Sequence, residues 1–271
     1  MIGHTLPFLK IFLLTFLQCT DIEENLKKCV LTISIFFPAD VSLLPMKPNR
    51  IILIRHGESQ GNENREIYAT IPDYALELTE KGKEQAVEAG RKLKEIIGDE
   101  SVFFYISPLW RTRMTFEEIA NAFNLNQFRY REEPRIREQE WGHLRNLDDN
   151  EIIDEARNAF GSFYYRIPEG ESAADVYDRI SDFFGTLHRD FDKEHFPQNV
   201  VIVTHGMTLR LFLMRWYHWT IEEFDTYANP LNCEFVMMEK REDHKYHLVG
   251  DLRKRKPQHS YHRPIRLRKD N

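Results

Sequence analysis

Two His-Gly dipeptides are the residues of this chain whose type and placement most suggest chemistry. His56-Gly57 and His205-Gly206 each follow a short apolar run that is typical of a buried strand. Ligands of open α/β sheets bind outside the carboxyl ends of the strands. If the two strands are neighbours, the histidines face each other there, and the glycines let the backbone turn and a ligand approach its N–H groups. Two matching strand ends indicate a site rather than two turns.

The polar residues around these dipeptides fit a phosphate group. Arg55 precedes the first histidine, Arg111 follows the segment ISPLW, and Asn62 lies in the helix after His56. A guanidinium group matches the oxygens of a phosphoryl group, and a phosphate monoester carries nearly two negative charges near neutral pH. The two arginines, a protonated His205 and the N-termini of helices at the same edge are sufficient to neutralise it without a metal.

A covalent reaction at phosphorus needs a nucleophile and an acid. A neutral histidine attacks when an acceptor holds its other ring nitrogen, and a general acid then protonates the leaving oxygen. The residues alone leave the acid open among Glu138 and Glu140 in RIREQEWG and Glu171 in PEGES. The alternative explanation for each of these residues is a solvent-exposed acid without a catalytic role. For Glu171 the alternative is a charge that stabilises the start of a helix.

The elements that must position these residues alternate between strand and helix. Strand-like runs lie at 51–54, 102–107, 199–204 and 233–240, and helical periodicity lies between them at 79–97, 111–123, 171–191 and 207–219. Thr79 and Ser172 are the expected N-caps of two of these helices. The alternation predicts an α/β domain with a largely parallel sheet. Residues 124–170 are expected to form an irregular excursion or lid over one end of the sheet.

Composition limits the function classes. The chain has 271 residues and a formal net charge of -6, so an overall basic bias that would indicate nucleic-acid binding is missing. Its three cysteines, Cys19, Cys29 and Cys233, show no spacing of metal ligands and no even disulfide framework. We therefore expect a protein of a reducing compartment with no nucleic-acid partner.

The two ends of the chain differ from the middle. Residues 1–48 contain apolar stretches at 5–20 and 29–45, and neither reaches the length that spans a bilayer. We expect an unstructured extension or a reading frame that starts upstream of the real start near Met46, with a targeting segment or interfacial anchor as the alternative. The tail, 251–271, carries eight Lys or Arg against two Asp. We expect this tail to be disordered, with nuclear targeting or anionic-surface binding as the alternative. For the whole protein we expect a cytoplasmic location and no requirement for a membrane.

Several motifs together carry a resemblance to a known family. LIRHGESQGN and VIVTHG resemble the corresponding motifs of the histidine phosphatase superfamily, also called phosphoglycerate-mutase-like, over about residues 50–249. SPLWRTRMT, RIREQEWG and PEGESAADVYDRI are most similar to plant phosphoglycerate-mutase-like proteins. The resemblance implies a three-layer α/β/α sandwich with a mostly parallel central sheet, in a domain at 49–250. It also implies a small phosphorylated substrate, no cofactor and no metal.

The resemblance also assigns roles to residues of the site. His56 matches the histidine that becomes phosphorylated, His205 matches the second histidine, and Glu138 rather than Glu140 matches the proton donor. The residues expected on the phosphate are Arg55, Gly57, Asn62, Arg111 and Gly206, with Arg113 and Glu171 as further candidates for contact with the substrate.

Two departures of this sequence from the motifs of the family's mutases indicate which reaction we expect. Cofactor-dependent mutases carry a Thr-Gly-Trp-like segment soon after the nucleophile motif, and here that region reads ENREIYATIPDYALELT. They also carry a basic cluster in the excursion, which here is acid-rich with only Arg145 and Arg157. We therefore expect a phosphatase in which water attacks phosphorylated His56, with a mutase as the alternative and a non-catalytic regulatory protein as the third class.

Overall fold

One mixed sheet forms the centre of the protein. The computed structural model describes residues 47–142 and 147–255. Its strands are β1 Arg50–Arg55, β2 Val102–Ile106, β3 Phe128–Glu132, β4 Asn199–Thr204, β5 Phe235–Lys240 and β6 Tyr246–Val249. They lie in the order β3-β2-β4-β1-β5-β6, in which the first four are parallel and β5 and β6 pair antiparallel. The predicted, mostly parallel sheet is confirmed.

Helices connect the strands and cover both faces of the sheet. They are α1 Gln60–Glu63, α2 Glu80–Ile97, α3 Trp110–Ala120, α4 Leu147–Phe160, α5 Ala173–Phe191, α6 Gly206–Tyr217 and α7 Ile221–Thr226. Short 3₁₀ turns lie at Arg65–Ala69, Asp73–Ala75 and Pro134–Ile136. Both predicted caps are present: Thr79 accepts the N–H of Gly82, and Ser172 forms a capping box with Asp175.

The pleat of β1 divides the core into two halves. Ile51 and Leu53 point to one face, where they join a buried cluster with α5 and α6. Ile52 and Ile54 point to the other face and join the cluster formed with α2 and α3. Successive side chains of a strand alternate between faces, so a strand that is apolar at every position is buried on both sides. This arrangement gives the α/β/α sandwich that the family resemblance implied.

The region between 124 and 170 is more regular than expected. It contains β3, which pairs only with β2 at the sheet edge, and the helix α4. The β3 sequence FRYRE shows no apolar run because one neighbour and a partly exposed face suffice for an edge strand. In α3, Phe116 is buried and Met114 is partly exposed.

The basic tail begins inside the described structure. The N–H of Arg255 donates to the carbonyl of Thr226 over 2.7 Å, and the N–H of Ala228 donates to the carbonyl of Arg253 over 2.8 Å. Residues 251–255 therefore run beside the end of α7. The expectations for residues 1–46 and 256–271 lie outside the described residues. Within the described ranges, no helix is both long and apolar enough to cross a bilayer.

Candidate active site

The two histidines lie side by side at the carboxyl end of the sheet. β1 and β4 are parallel neighbours with Arg55 opposite Thr204, and the N–H of His56 donates to the Thr204 carbonyl over 2.9 Å. The ring centroids of His56 and His205 are 5.1 Å apart, with 60° between the ring planes. Their exposed fractions are 4% and 0%. The predicted meeting of the two strand ends is confirmed.

A backbone hydrogen bond fixes which nitrogen of His56 is basic. Nδ1 lies 2.7 Å from the carbonyl oxygen of Gly57. A carbonyl oxygen can only accept, so Nδ1 carries the proton and Nε2 carries the lone pair. Burial, followed by the charges of Arg111 and Arg55, holds the pKa of His56 well below its usual value. His56 is therefore neutral near neutral pH, as a nucleophile requires.

His205 is held by a different partner. Its Nε2 lies 2.7 Å from Oγ of Ser107, and its Nδ1 is buried without a hydrogen-bond partner. Burial, followed by the charge of Arg111, holds the pKa of His205 well below its usual value. The expected protonated histidine is thus neutral in the structure, because its ring is buried and the positive charge of Arg111 adds to the effect of burial.

Two arginines supply the positive charge near the histidines. Arg111, 3% exposed in the first turn of α3, forks onto the Asp73 carboxylate through Nη1 at 3.0 Å and Nη2 at 3.1 Å. Arg55 donates through Nη1 to the carbonyl of Pro230 over 2.8 Å, while its Nε is buried without a partner. Both guanidinium groups place positive charge near the His56 ring.

Glu138 lies against the first turn of α6, directly after His205. Its two carboxylate oxygens accept from the N–H groups of Met207 and Thr208 at 3.2 Å each, and Oε1 also accepts from the Thr208 hydroxyl at 3.1 Å. The helix N-terminus that the sequence assigned to an anion is therefore used by this carboxylate. Glu140 is exposed, and the structure brings Glu138 rather than Glu140 to the histidines.

Arg179 of α5 holds the segment that carries Glu138. It donates to the carbonyls of Arg135, Arg137 and Glu138 over 2.6, 2.8 and 3.0 Å. Its remaining N–H groups contact Glu171, with Nε and Nη2 each 3.0 Å from a carboxylate oxygen. Glu171 is thus part of an ion pair below the site. Periodicity placed Arg179 on a helix but did not reveal this contact, which joins segments far apart in sequence.

Some predicted residues point elsewhere. Arg113 pairs with Glu132 of β3 over 2.8 Å, away from the two histidines. Gly57 donates its N–H to Oγ1 of Thr115 over 3.0 Å. A Cβ at Gly57 would lie 2.5 Å from the carbonyl oxygen of Gly82, so this glycine is required for the close packing of α2.

Asn62 and Gly206 lie at the rim of the two strand ends. Oδ1 of Asn62 accepts from the N–H of Ser59 at 3.2 Å and from Nδ2 of Asn232 at 3.1 Å. Nδ2 of Asn232 also donates to the carbonyl of His56 over 3.0 Å. A Cβ at Gly206 would lie 2.9 Å from the Asn229 side chain. The loop 229–234, which the sequence did not single out, therefore packs against both His-Gly turns.

Because His56 and His205 are buried and neutral, we expect the free energy of unfolding to fall on mild acidification. The unfolded chain protonates His56 and His205 near pH 6.5, whereas the folded protein resists protonation. The free energy of unfolding is therefore fully maintained above about pH 6.5 and falls below it, by up to ~1.4 kcal/mol per pH unit for each histidine. Urea unfolding at about pH 7 and about pH 5.5 measures this loss. His205→Gln should weaken the pH dependence of the free energy of unfolding. An unchanged pH dependence would contradict the conclusion that His205 is neutral in the folded protein.

Comparison with known proteins identifies the family of this chain. The family model of the histidine phosphatase superfamily (branch 1) matches residues 51–250, and the chain belongs to this superfamily. The phosphoglycerate mutase-like protein AT74H of Arabidopsis thaliana is 46% identical over 210 residues, which cover 72% of this chain and 75% of the relative. The broad-range acid phosphatase DET1 of Saccharomyces cerevisiae is 31% identical over 71% of this chain and 86% of its own length.

Solved structures share the fold at low sequence identity. A mycobacterial hydrolase aligns with a TM-score of 0.60 at 19% identity, over 76% of this chain and 99% of the other. A mycobacterial glucosyl-3-phosphoglycerate phosphatase aligns with a TM-score of 0.57 at 20% identity, over 76% of this chain and 98% of the other. Within residues 47–142 and 147–255, no group of three or more His, Cys, Asp or Glu side chains is arranged to hold a metal ion.

Proposed function

We propose that this protein is a phosphomonoesterase that works through a phosphohistidine intermediate on a small phosphorylated metabolite, without a metal ion. The observation that carries the proposal is the state of His56. It is neutral, its Nδ1 proton is directed at the Gly57 carbonyl, its Nε2 carries the lone pair, and the charges of Arg55 and Arg111 act on the ring. A phosphoryl group between the two arginines has its charge neutralised where the nucleophile can attack in line.

The reaction proceeds in two displacements. In the first, Nε2 of His56 forms a bond to phosphorus while the bond to the ester oxygen breaks, and Glu138 donates a proton to that oxygen. In the second, water attacks the phosphohistidine, Glu138 accepts its proton, and inorganic phosphate leaves with His56 restored.

Buried nitrogen atoms that lack partners support a bound anion. Nε of Arg55 and Nδ1 of His205 are both buried without a hydrogen-bond partner. Buried polar groups are usually satisfied, so unpaired donors at one place favour a ligand that accepts from them. If the Ser107 hydroxyl donates to Nε2 of His205, its Nδ1 carries a proton for a phosphoryl oxygen.

The relatives include phosphatases and phosphoglycerate mutases, so the sequence of this chain has to distinguish hydrolysis from isomerisation. DET1 is named as an acid phosphatase, and a phosphoserine phosphatase of Hydrogenobacter thermophilus is 32% identical over 59% of this chain. AT74H is named only as mutase-like. The segment after the nucleophile motif also lacks the features expected of a mutase. Hydrolysis is the reaction that these observations support together.

A substrate screen tests the proposal. The full chain is incubated with phosphomonoesters from mildly acidic to neutral pH in the presence of EDTA, and phosphate release is measured. We expect hydrolysis that EDTA does not reduce, and its loss with EDTA would contradict the metal-free reaction. Incubation with 3-phosphoglycerate, followed for both phosphate release and formation of 2-phosphoglycerate, separates a phosphatase from a mutase.

A further inference from the structure

The guanidinium group of Arg111 has a single hydrogen-bond partner among the described residues, the acid Asp73. Nη1 donates to Oδ1 of Asp73 over 3.0 Å and to the Asp73 carbonyl over 2.7 Å, and Nη2 donates to Oδ2 over 3.1 Å. The Arg111 side chain is 4% exposed, whereas that of Asp73 is 46% exposed. A buried cation of the proposed phosphate site therefore depends on a carboxylate at the surface for its orientation.

The contacts with Asp73 use one side of the guanidinium group. This group has five N–H bonds, two on each Nη atom and one on Nε. Asp73 accepts both N–H bonds of Nη1 and one of Nη2. The second N–H of Nη2 and the N–H of Nε remain, and together they form a fork that matches two oxygens of a phosphoryl group. Asp73 thus fixes the plane of Arg111 and leaves one fork for a ligand.

This fork belongs to the arginine that acts most strongly on the two histidines. Among the charged groups, Arg111 makes the largest contribution to the lowered pKa of His56 and to that of His205. Both rings therefore lie within electrostatic reach of its guanidinium group. Positioning has a large effect on such chemistry, because a displacement of about 1 Å can lower a rate by about 100-fold.

The turn that carries Asp73 is itself held in place. Asp73 begins the 3₁₀ turn Asp73–Ala75. The ring of Tyr74 contacts that of Trp110, the first residue of α3, with 6.4 Å between the ring centres and 86° between the ring planes. Leu76, directly after the turn, is fully buried. These contacts on the C-terminal side of Asp73 hold its carboxylate at the start of α3.

We propose that Asp73 is a positioning residue, which orients Arg111 so that its free fork meets the phosphoryl group in the transition state. The inference rests on the proposed phosphomonoesterase activity, because the phosphoryl group is the expected ligand of that fork. In the sequence, Asp73 lies in the segment ENREIYATIPDYALELT, which showed only that the features of a mutase are missing. The fold brings it to an arginine 38 residues further along the chain.

An alternative role for the same carboxylate is competition with the phosphoryl group for Arg111. The two roles predict opposite effects when the charge of Asp73 is removed. Loss of a competitor tightens the binding of phosphate, whereas loss of a positioning residue weakens the transition state more than the ground state. The free fork favours positioning, since a phosphoryl group can bind there without displacing Asp73.

Asp73→Asn tests the positioning role because it removes the charge and keeps the size of the side chain. We expect kcat for a phosphomonoester to fall by about 10- to 100-fold. Calorimetry measures the binding of orthovanadate, which mimics the five-coordinate phosphorus of the transition state, and of inorganic phosphate. The dissociation constant of vanadate should rise by about the same factor as kcat falls, and that of phosphate should change by less than about threefold.

Glu132→Gln is the matched control. Glu132 pairs with Arg113 of the same helix α3 over 2.8 Å, so this variant breaks an arginine–carboxylate pair without touching Arg111. It should keep kcat and both dissociation constants, and thermal unfolding confirms that each variant is folded. If Asp73→Asn binds phosphate and vanadate more tightly, Asp73 is a competitor. If neither dissociation constant changes, Asp73 contributes only to packing. Either result overturns the proposal.

A double variant shows whether Asp73 acts through Arg111. Lysine lacks the planar fork, so in Arg111→Lys there is no fork for Asp73 to orient. Asp73→Asn should then change the dissociation constant of vanadate by no more than about twofold. An equal loss of vanadate affinity in both backgrounds would show that Asp73 acts without Arg111, and the proposal would fail.

Vanadate binding separates this proposal from the proposed activity. If the unaltered protein binds vanadate but hydrolyses no ester, only the phosphatase proposal fails, and weaker vanadate binding in Asp73→Asn still supports the positioning role. If hydrolysis is efficient and Asp73→Asn retains full activity, only the positioning role fails. If the unaltered protein binds neither vanadate nor phosphate, both proposals fail.

Discussion

Replacement of His56 by alanine is expected to abolish phosphomonoester hydrolysis, with a loss on the order of 10⁴-fold or more, as for other covalent nucleophiles. The reason is that the His56 ring is neutral, that the contact of Nδ1 with the Gly57 carbonyl leaves the lone pair on Nε2, and that the charges of Arg55 and Arg111 act on this ring. Rapid quench with a ³²P-labelled ester should show an acid-labile phosphoenzyme in the unaltered protein and none in His56→Ala.

The control for this prediction is another histidine. His195 is exposed and follows α5, away from the site, so His195→Ala should keep both hydrolysis and labelling. His205→Ala retains the nucleophile and should still form some phosphoenzyme, at a reduced rate. Labelling that persists in His56→Ala and disappears in His205→Ala would show that the two roles are exchanged.

Glu138→Gln is expected to produce the second large effect, and its size should depend on the leaving group. For alkyl phosphates, whose leaving oxygen needs a proton, we expect kcat to fall by about 10²- to 10⁴-fold. For 4-nitrophenyl phosphate, whose leaving group departs as an anion, the loss should be about tenfold or less. Steady-state kinetics with both esters measures the difference.

In Glu138→Gln, the amide keeps only part of the hydrogen bonds that hold the carboxylate in place. Its oxygen can still accept from the N–H groups of Met207 and Thr208, which now meet the carboxylate. Glu140→Gln is the matched control, since Glu140 is exposed two residues along the same segment and should have little effect. Equal losses for the alkyl and aryl esters in Glu138→Gln would indicate a positioning role and would contradict acid catalysis.

The sequence predicted the elements and much of the site because these depend on local patterns. Apolar runs identify β1 and β4 as buried strands, and helical periodicity with Thr79 and Ser172 as caps identifies α2 and α5. The repeated His-Gly at two strand ends predicted that His56 and His205 meet. This followed from the geometry of parallel sheets, in which adjacent carboxyl ends share an edge.

Local sequence patterns did not predict the features that depend on contacts with segments distant in the chain. The edge strand β3 has a polar sequence and forms because β2 offers its free backbone edge. The sequence predicted that Gly57 lets a ligand approach the backbone. The structure shows that Gly57 is also needed because Gly82 packs against it, and this contact depends on where α2 crosses the turn. No property of a single segment contains this information.

What the sequence determined by itself is the fold class and the presence of two histidines and two arginines at one edge of the sheet. Strand and helix periodicity depends on near neighbours in the chain, so it can be read directly. The tertiary structure decided that Glu138 lies on the first turn of α6 and that His205 is neutral. These features depend on burial and on contacts between distant segments, which exist only once the chain has packed.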